Sequence, residues 1–283
     1  MSMLTITKLG ILAGGGSLPK QLVEHCKRSG IPCFVLAFEE SYVVPSASPS
    51  SCDDHIHADV ITPIGHIGSG LAALKEAGVS ELVLAGHMKR PSFRKLNLDD
   101  QAKKLLKKLG TKILGGDDAL LKALMSFLED EGFTILAAHE ILGGMTIGAG
   151  IATKQKPDAE HATSIEKAMH MLNTISPLDV GQALVIEDEY VLGIEAAEGT
   201  DGLIARSASY MKTDKRAILV KAKKAGQDTR ADMPTIGPNT IEQLAQHGYA
   251  GVAIEANNVL IVDKDKVIEL ANQHQLFITA VAK

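Results

Sequence analysis

The chain has 283 residues, 45% of them hydrophobic and 22% charged. That is enough for one large globular domain or two ordinary ones, and it excludes general disorder. The formal net charge is −5, aromatics are only 4% and Trp is absent, so duplex binding and base stacking on aromatic side chains are both disfavoured and no nucleic-acid partner is expected.

The positive charge is uneven. Lys89, Arg90, Arg94, Lys95, Lys103, Lys104, Lys107 and Lys108 face only Asp99 and Asp100 in their stretch, and a second basic run spans Lys212 to Arg230. Such runs suit a solvated helix face or a phosphate-rich or anionic surface. Cys26, Cys33 and Cys52 are odd in number and lack CxxC spacing, which points to reduced thiols rather than a disulfide framework or zinc site. No stretch approaches the apolar length of a spanning helix, and Gly14 to Gly16 interrupt the first apolar run.

In chain order, the apolar run Leu9–Ala13 reads as a strand and Gly14-Gly15-Gly16-Ser17 as a turn. A helix should follow, with Ser17 at its N-cap, Pro19 in its first turn and its end near Gly30. Cys33–Phe38 is a second strand, Leu71–Ala77 a helix and Glu81–Ala85 a strand. Helices at Asp99–Leu109 and Asp117–Asp130 precede a strand at Phe133–Ala137. This alternation predicts a parallel sheet with helices on its faces, a Rossmann-like first domain over residues 1–138. The Gly-rich stretch inside 139–152 is a linker, and 153–283 form a second, mixed α/β domain. There the patterns give a helix at Ala159–Leu172, a hairpin of Ala183–Ile186 with Tyr190–Ile194, strands at Ile218–Val220, Val252–Ile254 and Val259–Val262, and a helix at Ile241–His247.

Several loops carry the residue types of phosphate chemistry. Gly14, Gly15, Gly16 and Ser17 lie between a strand and a helix, where backbone N–H groups and the helix dipole attract anions. The spacing is neither the GxGxxG of dinucleotide folds nor a P-loop. Lys89 and Arg90 follow a strand, at the sheet edge where ligands of open α/β folds bind. Asp117 and Asp118 follow two glycines; one carboxylate would serve as an N-cap, and two exceed that need. The second half is richer. Gln182 precedes a strand, Glu198, Thr200 and Asp201 follow one with Arg206 beyond, and Lys221, Gln227, Asp228, Arg230 and Asp232 lie in a long loop after another. Carboxylates that can hold Mg²⁺ or orient water, beside cations that neutralise phosphate oxygens, are what phosphoanhydride hydrolysis requires. His55 and His57 could start a metal cluster, but no second pair matches them, and His139-Glu140 lacks the second His of HExxH.

AGGGSLP at the first turn, His87 to Pro91, GDDALL from Gly116, LDVGQ from Leu178, EGTD from Glu198, and Gly226-Gln227-Asp228 with Arg230, Asp232 and Pro234 occur in one order along the chain. In these motifs the chain resembles the LpxI family of UDP-2,3-diacylglucosamine diphosphatases over nearly its whole length. It departs from that pattern at Ala225, where the family has Pro, and at Gly202-Leu203; neither change removes a charged group.

The resemblance implies Mg²⁺-dependent cleavage of UDP-2,3-diacylglucosamine to 2,3-diacylglucosamine 1-phosphate (lipid X) and UMP, in lipid A synthesis. It also implies a ligand cleft between two domains and a cytoplasmic enzyme peripherally associated with the inner membrane. By the same resemblance Asp228, Asp232 and Asp201 are the expected metal and catalytic carboxylates, with Glu198 as a companion. Lys221, Arg230 and Arg206 are expected to face the diphosphate, and Gly14 to Ser17 to serve nucleotide or phosphate binding. A sugar-nucleotide transferase and a non-enzymatic nucleotide-lipid binding protein are the competing classes.

Overall fold

A computed structural model describes residues 6–40, 56–86, 88, 96–110, 117–212, 217–230 and 233–282, without the side chains of 117–119. The chain divides into two compact units. The first is Met1–Leu142 together with Asp228–Asp232, and the second is Gly143–Gln227 with Met233–Lys283.

In the first unit the strands are β1 (Leu9–Ala13), β2 (Cys33–Phe38), β3 (Val60–Thr62), β4 (Glu81–Ala85) and β5 (Thr134–Leu136). They form one parallel sheet in the order β3-β2-β1-β4-β5. The chain thus runs outward one way from β1 to β3 and then restarts on the other side of β1, which makes a topological switch point between β1 and β4. The helices are α1 (Leu18–Ser29), α2 (Ile67–Glu76), α3 (Asp100–Leu109), α4 (Asp117–Asp130) and α5 (Ala138–Leu142).

Side-chain alternation along each strand sorts them onto the two faces. Leu9, Ile11, Ala13, Val35, Ala37, Val83 and Ala85 pack with Leu22 and Cys26 of α1 and Ala138 and Ile141 of α5. The intervening Leu12, Leu36 and Leu82 pack with Leu71 and Leu74 of α2, Leu105 and Leu109 of α3, and Phe127 and Leu128 of α4. Both faces are covered, which is why LGILA is a continuous apolar run buried at every position.

The second unit holds β6 (Gly150–Ile151), α6 (Ala159–Ile175), β7 (Ala183–Glu187), β8 (Tyr190–Ile194), α7 (Gly199–Ala208), β9 (Ile218–Lys221), β10 (Thr235–Ile236), α8 (Pro238–Gln246), β11 (Gly251–Glu255), β12 (Leu260–Ile261), α9 (Lys264–Gln273) and β13 (Phe277–Val281). Its main sheet has the order β6-β13-β11-β9-β7-β8. β13, β11 and β9 are parallel, while β7 is antiparallel to β9 and to β8. One face packs on α7, α8 and α9 through Leu203, Ile204, Ile241, Leu244, Val267 and Ala271. The other packs on α6 through Ile165, Ala168 and Leu172.

Two local expectations need revision. The stretch from Gly199 to Ala208 is a helix rather than a loop. Gly199, Thr200 and Gly202 are weak helix formers, and burial of Leu203, Ile204 and Ser207 overrides that preference. The expected strand at Val259–Val262 is present as Leu260–Ile261, but it pairs with β10 in a separate two-stranded ribbon.

Candidate active site

The glycine turn of the first unit sits at the carboxyl end of β1, beside the end of β4 at the switch point. Gly14 N donates to Ala85 O at 2.8 Å. Gly86 has φ +88, and a Cβ there would stand 2.4 Å from Gly15 O, so only a residue without a side chain lets the two loops approach this closely. Ser17 occupies the N-cap position of α1, but its backbone is already helical and its side chain makes no capping bond. Its amide end is therefore uncapped by that hydroxyl.

The segment grouped with this unit carries Asp228 and Arg230. Arg230 Nε and Nη2 donate to Asp228 Oδ1 and Oδ2 at 3.0 and 2.7 Å, and the Arg230 backbone N–H donates to Oδ1 at 3.0 Å. Arg230 Nη1 also donates to Glu129 Oε1 at 2.8 Å. These hydrogen bonds, the Arg230 guanidinium first among them, hold the Asp228 carboxyl below its usual range; the two carboxylates raise the Arg230 pKa in turn. A carboxylate so readily ionised suits metal ligation or charge stabilisation better than proton abstraction near neutral pH.

In the second unit the ends of β9 and β11, the end of β8 and the start of β7 meet at one sheet edge, as the pairings Ala183 with Lys221, Leu184 with Ile194 and Ile254 with Lys221 require. Lys221 and Glu195 are 4% and 7% exposed there, and Gln227 and Glu255 are also buried. Lys221 Nζ donates to Thr200 Oγ1 at 2.8 Å and to Thr235 O at 2.9 Å. Thr200 Oγ1 donates to Glu195 Oε1 at 2.7 Å, and Glu195 Oε2 accepts from Gln182 N at 3.0 Å. Gln227 Nε2 reaches Gln182 Oε1 at 3.4 Å, and Gln227 Oε1 accepts from Lys224 N at 3.1 Å. Lys224 Nζ pairs with Asp179 at 2.6 Å. Glu255 Oε2 accepts from Lys223 N at 2.9 Å, which pins the loop after β9.

The structure therefore brings Gln182, Thr200, Lys221 and Gln227 into one network. Glu198, at the N-cap of α7, and Arg206 on that helix stand apart from it as a pair. Arg206 Nη2 donates to Glu198 Oε1 at 2.7 Å and to Ile194 O at 2.7 Å. A backbone hydrogen bond at Glu198 itself and then the Arg206 guanidinium lower the Glu198 carboxyl. Asp201, exposed in the first turn of α7, accepts from Asn239 Nδ2 at 2.9 Å. Lys89, Arg90 and Asp232 lie outside the described residues, as does His55. Asp117 and Asp118 open α4. Among the described residues no group of three or more His, Cys, Asp or Glu could hold a metal ion, and Asp228 and Asp201 belong to different units.

Sequence reasoning passed over Glu195 and Glu255 as individual candidates. Each immediately follows or ends a strand at the same sheet edge as Lys221. That shared register was the available signal, but it becomes visible only once strand order is known.

Comparison with known proteins agrees along the whole chain. The LpxI N-terminal domain family matches residues 8–145 and the LpxI C-terminal domain family matches residues 148–279. A curated protein of Caulobacter vibrioides (strain ATCC 19089 / CIP 103742 / CB 15), UDP-2,3-diacylglucosamine pyrophosphatase LpxI, is 39% identical over 280 residues, covering 97% of both chains. Among solved structures, the biotin carboxylase subunit of pyruvate carboxylase aligns with 65% of this chain and 35% of its own at 12% identity and a TM-score of 0.24. Isoflavone reductase aligns with 99% of this chain and 80% of its own at 13% identity and a TM-score of 0.25. At TM-scores this low, neither likeness bears on fold or function.

Proposed function

Because the chain belongs to the LpxI family, we propose that it hydrolyses the pyrophosphate of UDP-2,3-diacylglucosamine in lipid A biosynthesis. Water adds across the P–O–P bridge, giving UMP and 2,3-diacylglucosamine 1-phosphate. The observation that carries this reading is the 39% identity to the Caulobacter pyrophosphatase over 97% of each chain.

The residue chemistry supports it. Cleaving a phosphoanhydride concentrates negative charge on the departing phosphate and on the oxygens of the attacked phosphorus, so fixed donors and cations at those oxygens lower the barrier. Lys221 supplies a cation and the Gln182 and Gln227 amides supply donors at the edge of the second sheet, with the Thr200 hydroxyl accepting from Lys221, and we assign all four to the diphosphate site. Arg206 and Arg230 are further cations in the same assignment, with Lys89 and Arg90. The amide end after Gly14, Gly15, Gly16 and Ser17, which the Ser17 hydroxyl does not cap, suits a nucleotide phosphate, and we read its sheet as Rossmann-like, with Asp117 and Asp118 as further substrate contacts.

Mg²⁺ is the metal we propose. It is commonly held by one or two carboxylates together with substrate phosphates and water. Asp228, ionised by its hydrogen bonds and still partly exposed, has the hard oxygen donors that role needs. Asp232 is the proposed companion, and Asp201 and Glu198 are further carboxylates for metal or water. When bound, the ion would neutralise diphosphate charge. Among the described residues no helix is long and apolar enough to cross a membrane. We propose a cytoplasmic protein that meets its lipid-linked substrate peripherally, at the inner-membrane surface.

Assaying UMP release from UDP-2,3-diacylglucosamine with Mg²⁺, with EDTA, and for Asp228→Ala tests the metal and site assignments. Both EDTA and the substitution should reduce release by at least about a hundredfold. Undiminished release in EDTA would refute the metal requirement, and a fully active Asp228→Ala would remove that carboxylate from the site.

A further inference from the structure

Glu195 is a buried carboxylate whose two oxygens are both committed. Oε2 accepts from Gln182 N at 3.0 Å, and Oε1 accepts from the Thr200 hydroxyl at 2.7 Å. Its backbone is equally fixed, since Glu195 N donates to Ala183 O at 2.9 Å and a Cβ on Gly181 would stand 2.1 Å from Glu195 O. Thr200 has one proton to give and lone pairs to offer. Because the proton goes to Glu195, a lone pair is left facing Lys221 Nζ, 2.8 Å away. The ammonium is therefore oriented by the Thr200 oxygen, together with Thr235 O at 2.9 Å.

We propose that Glu195 is a positioning residue for the reaction: through Thr200 it fixes the Lys221 ammonium at the edge of the second unit's sheet. The proposal rests on the assignment of Lys221 to the diphosphate. Stability alone is a poor reason for the arrangement. Burying a carboxylate and an ammonium costs desolvation of both, and well-packed apolar side chains of similar volume are often as stable or more so. Placement at a sheet edge where parallel strands end is where ligands of such folds are bound. A cation at a developing phosphate charge must be held to within a fraction of an ångström, because a displacement of about 1 Å can cost about a hundredfold in rate.

The test uses the full-length protein with Glu195→Gln, Thr200→Val, Thr200→Ser and the Glu195→Gln/Thr200→Val pair. Steady-state kinetics on UDP-2,3-diacylglucosamine are read beside the ¹⁵Nζ NMR signal of Lys221, which is identified by its loss in Lys221→Arg. Glu195→Gln and Thr200→Val should each lower kcat about tenfold to a hundredfold with KM changed by less than about threefold. The pair should be no slower than Thr200→Val, because both cut one chain of contacts, and Thr200→Ser should restore kcat. The Lys221 signal should be sharp in the wild type and broadened in Glu195→Gln. An unchanged kcat and Lys221 signal in Glu195→Gln, or effects that multiply in the pair, would overturn the proposal. If Glu195→Gln fails to fold, Thr200→Val, which is nearly isosteric and cuts the same link, decides the question. A wild type that releases no UMP refutes the functional reading instead, and the Lys221 signal still decides whether Glu195 positions the ammonium.

Discussion

Burial pushes the Cys26 thiol up to about 11, and Cys33, beside it, is raised as well, chiefly by burial. At pH 8 a thiol of that pKa is about one-thousandth thiolate, against about a quarter for an ordinary cysteine near 8.5. In a Cys33→Ser/Cys52→Ser background, iodoacetamide should therefore label Cys26 of the native protein at least about a hundredfold more slowly than the urea-unfolded chain. Equal rates would contradict the buried, neutral Cys26 thiol. Asp228 has the opposite shift. Its folded-state pKa lies below the unfolded value, so its contribution to stability is present above that value and is lost as pH falls through the folded pKa. With side chains 24% and 39% exposed, solvent screening limits the Asp228–Arg230 pair to about 1 kcal/mol or less. The melting temperature of the wild type should exceed that of Asp228→Asn near pH 7, and the gap should shrink as pH drops below about 4. A gap that widens in acid would reverse the assignment. Lys221 shows what residue-level reading misses. Its Lys-Ala-Lys-Lys setting is legible as a cationic loop, yet Lys221 is the last residue of a buried strand, and only the packing around β9 separates it from Lys223 and Lys224.

Among the elements, those set by strong periodicity were legible. β1, α1 and β4 follow from a buried apolar run, a glycine turn with Pro19 just inside a helix, and a second apolar run. α4 follows from its apolar spacing. α7 was not legible, because its first turn holds two glycines and a threonine and its helicity comes from tertiary packing. The same distinction between local and tertiary demand applies to glycines. Gly30 ends α1 at φ +68, and nothing lies within 4 Å of where a Cβ would stand, so Gly30→Ala should cost about 1 kcal/mol of backbone strain. Gly86 has both the left-handed backbone and the Gly15 carbonyl 2.4 Å away, so Gly86→Ala should cost about 2–4 kcal/mol, strain plus overpacking. Urea denaturation of the two variants checks the difference; equal losses would mean that the loops at the ends of β1 and β4 separate freely.

For the whole molecule, the α/β class and the division into two parts could be read from alternating strand and helix patterns and one glycine-rich stretch. The strand order could not, because pairing between distant strands leaves no local trace. Nor could the grouping of Asp228–Asp232 with the first unit, since that segment is contiguous in sequence with residues of the second. The carboxylates and cations of phosphate chemistry were visible as residue types. Their sorting into the Asp228–Arg230 pair, the Glu198–Arg206 pair and the Glu195–Thr200–Lys221 chain depends on contacts across up to 21 residues of sequence. The reaction is defined by which bond is broken. Incubating the wild-type protein with UDP-2,3-diacylglucosamine and Mg²⁺ and quantifying both products decides it. The expected products are UMP and 2,3-diacylglucosamine 1-phosphate in equal amounts, from water added across the pyrophosphate. UDP with the sugar released or transferred, or no turnover of a bound substrate, would contradict it.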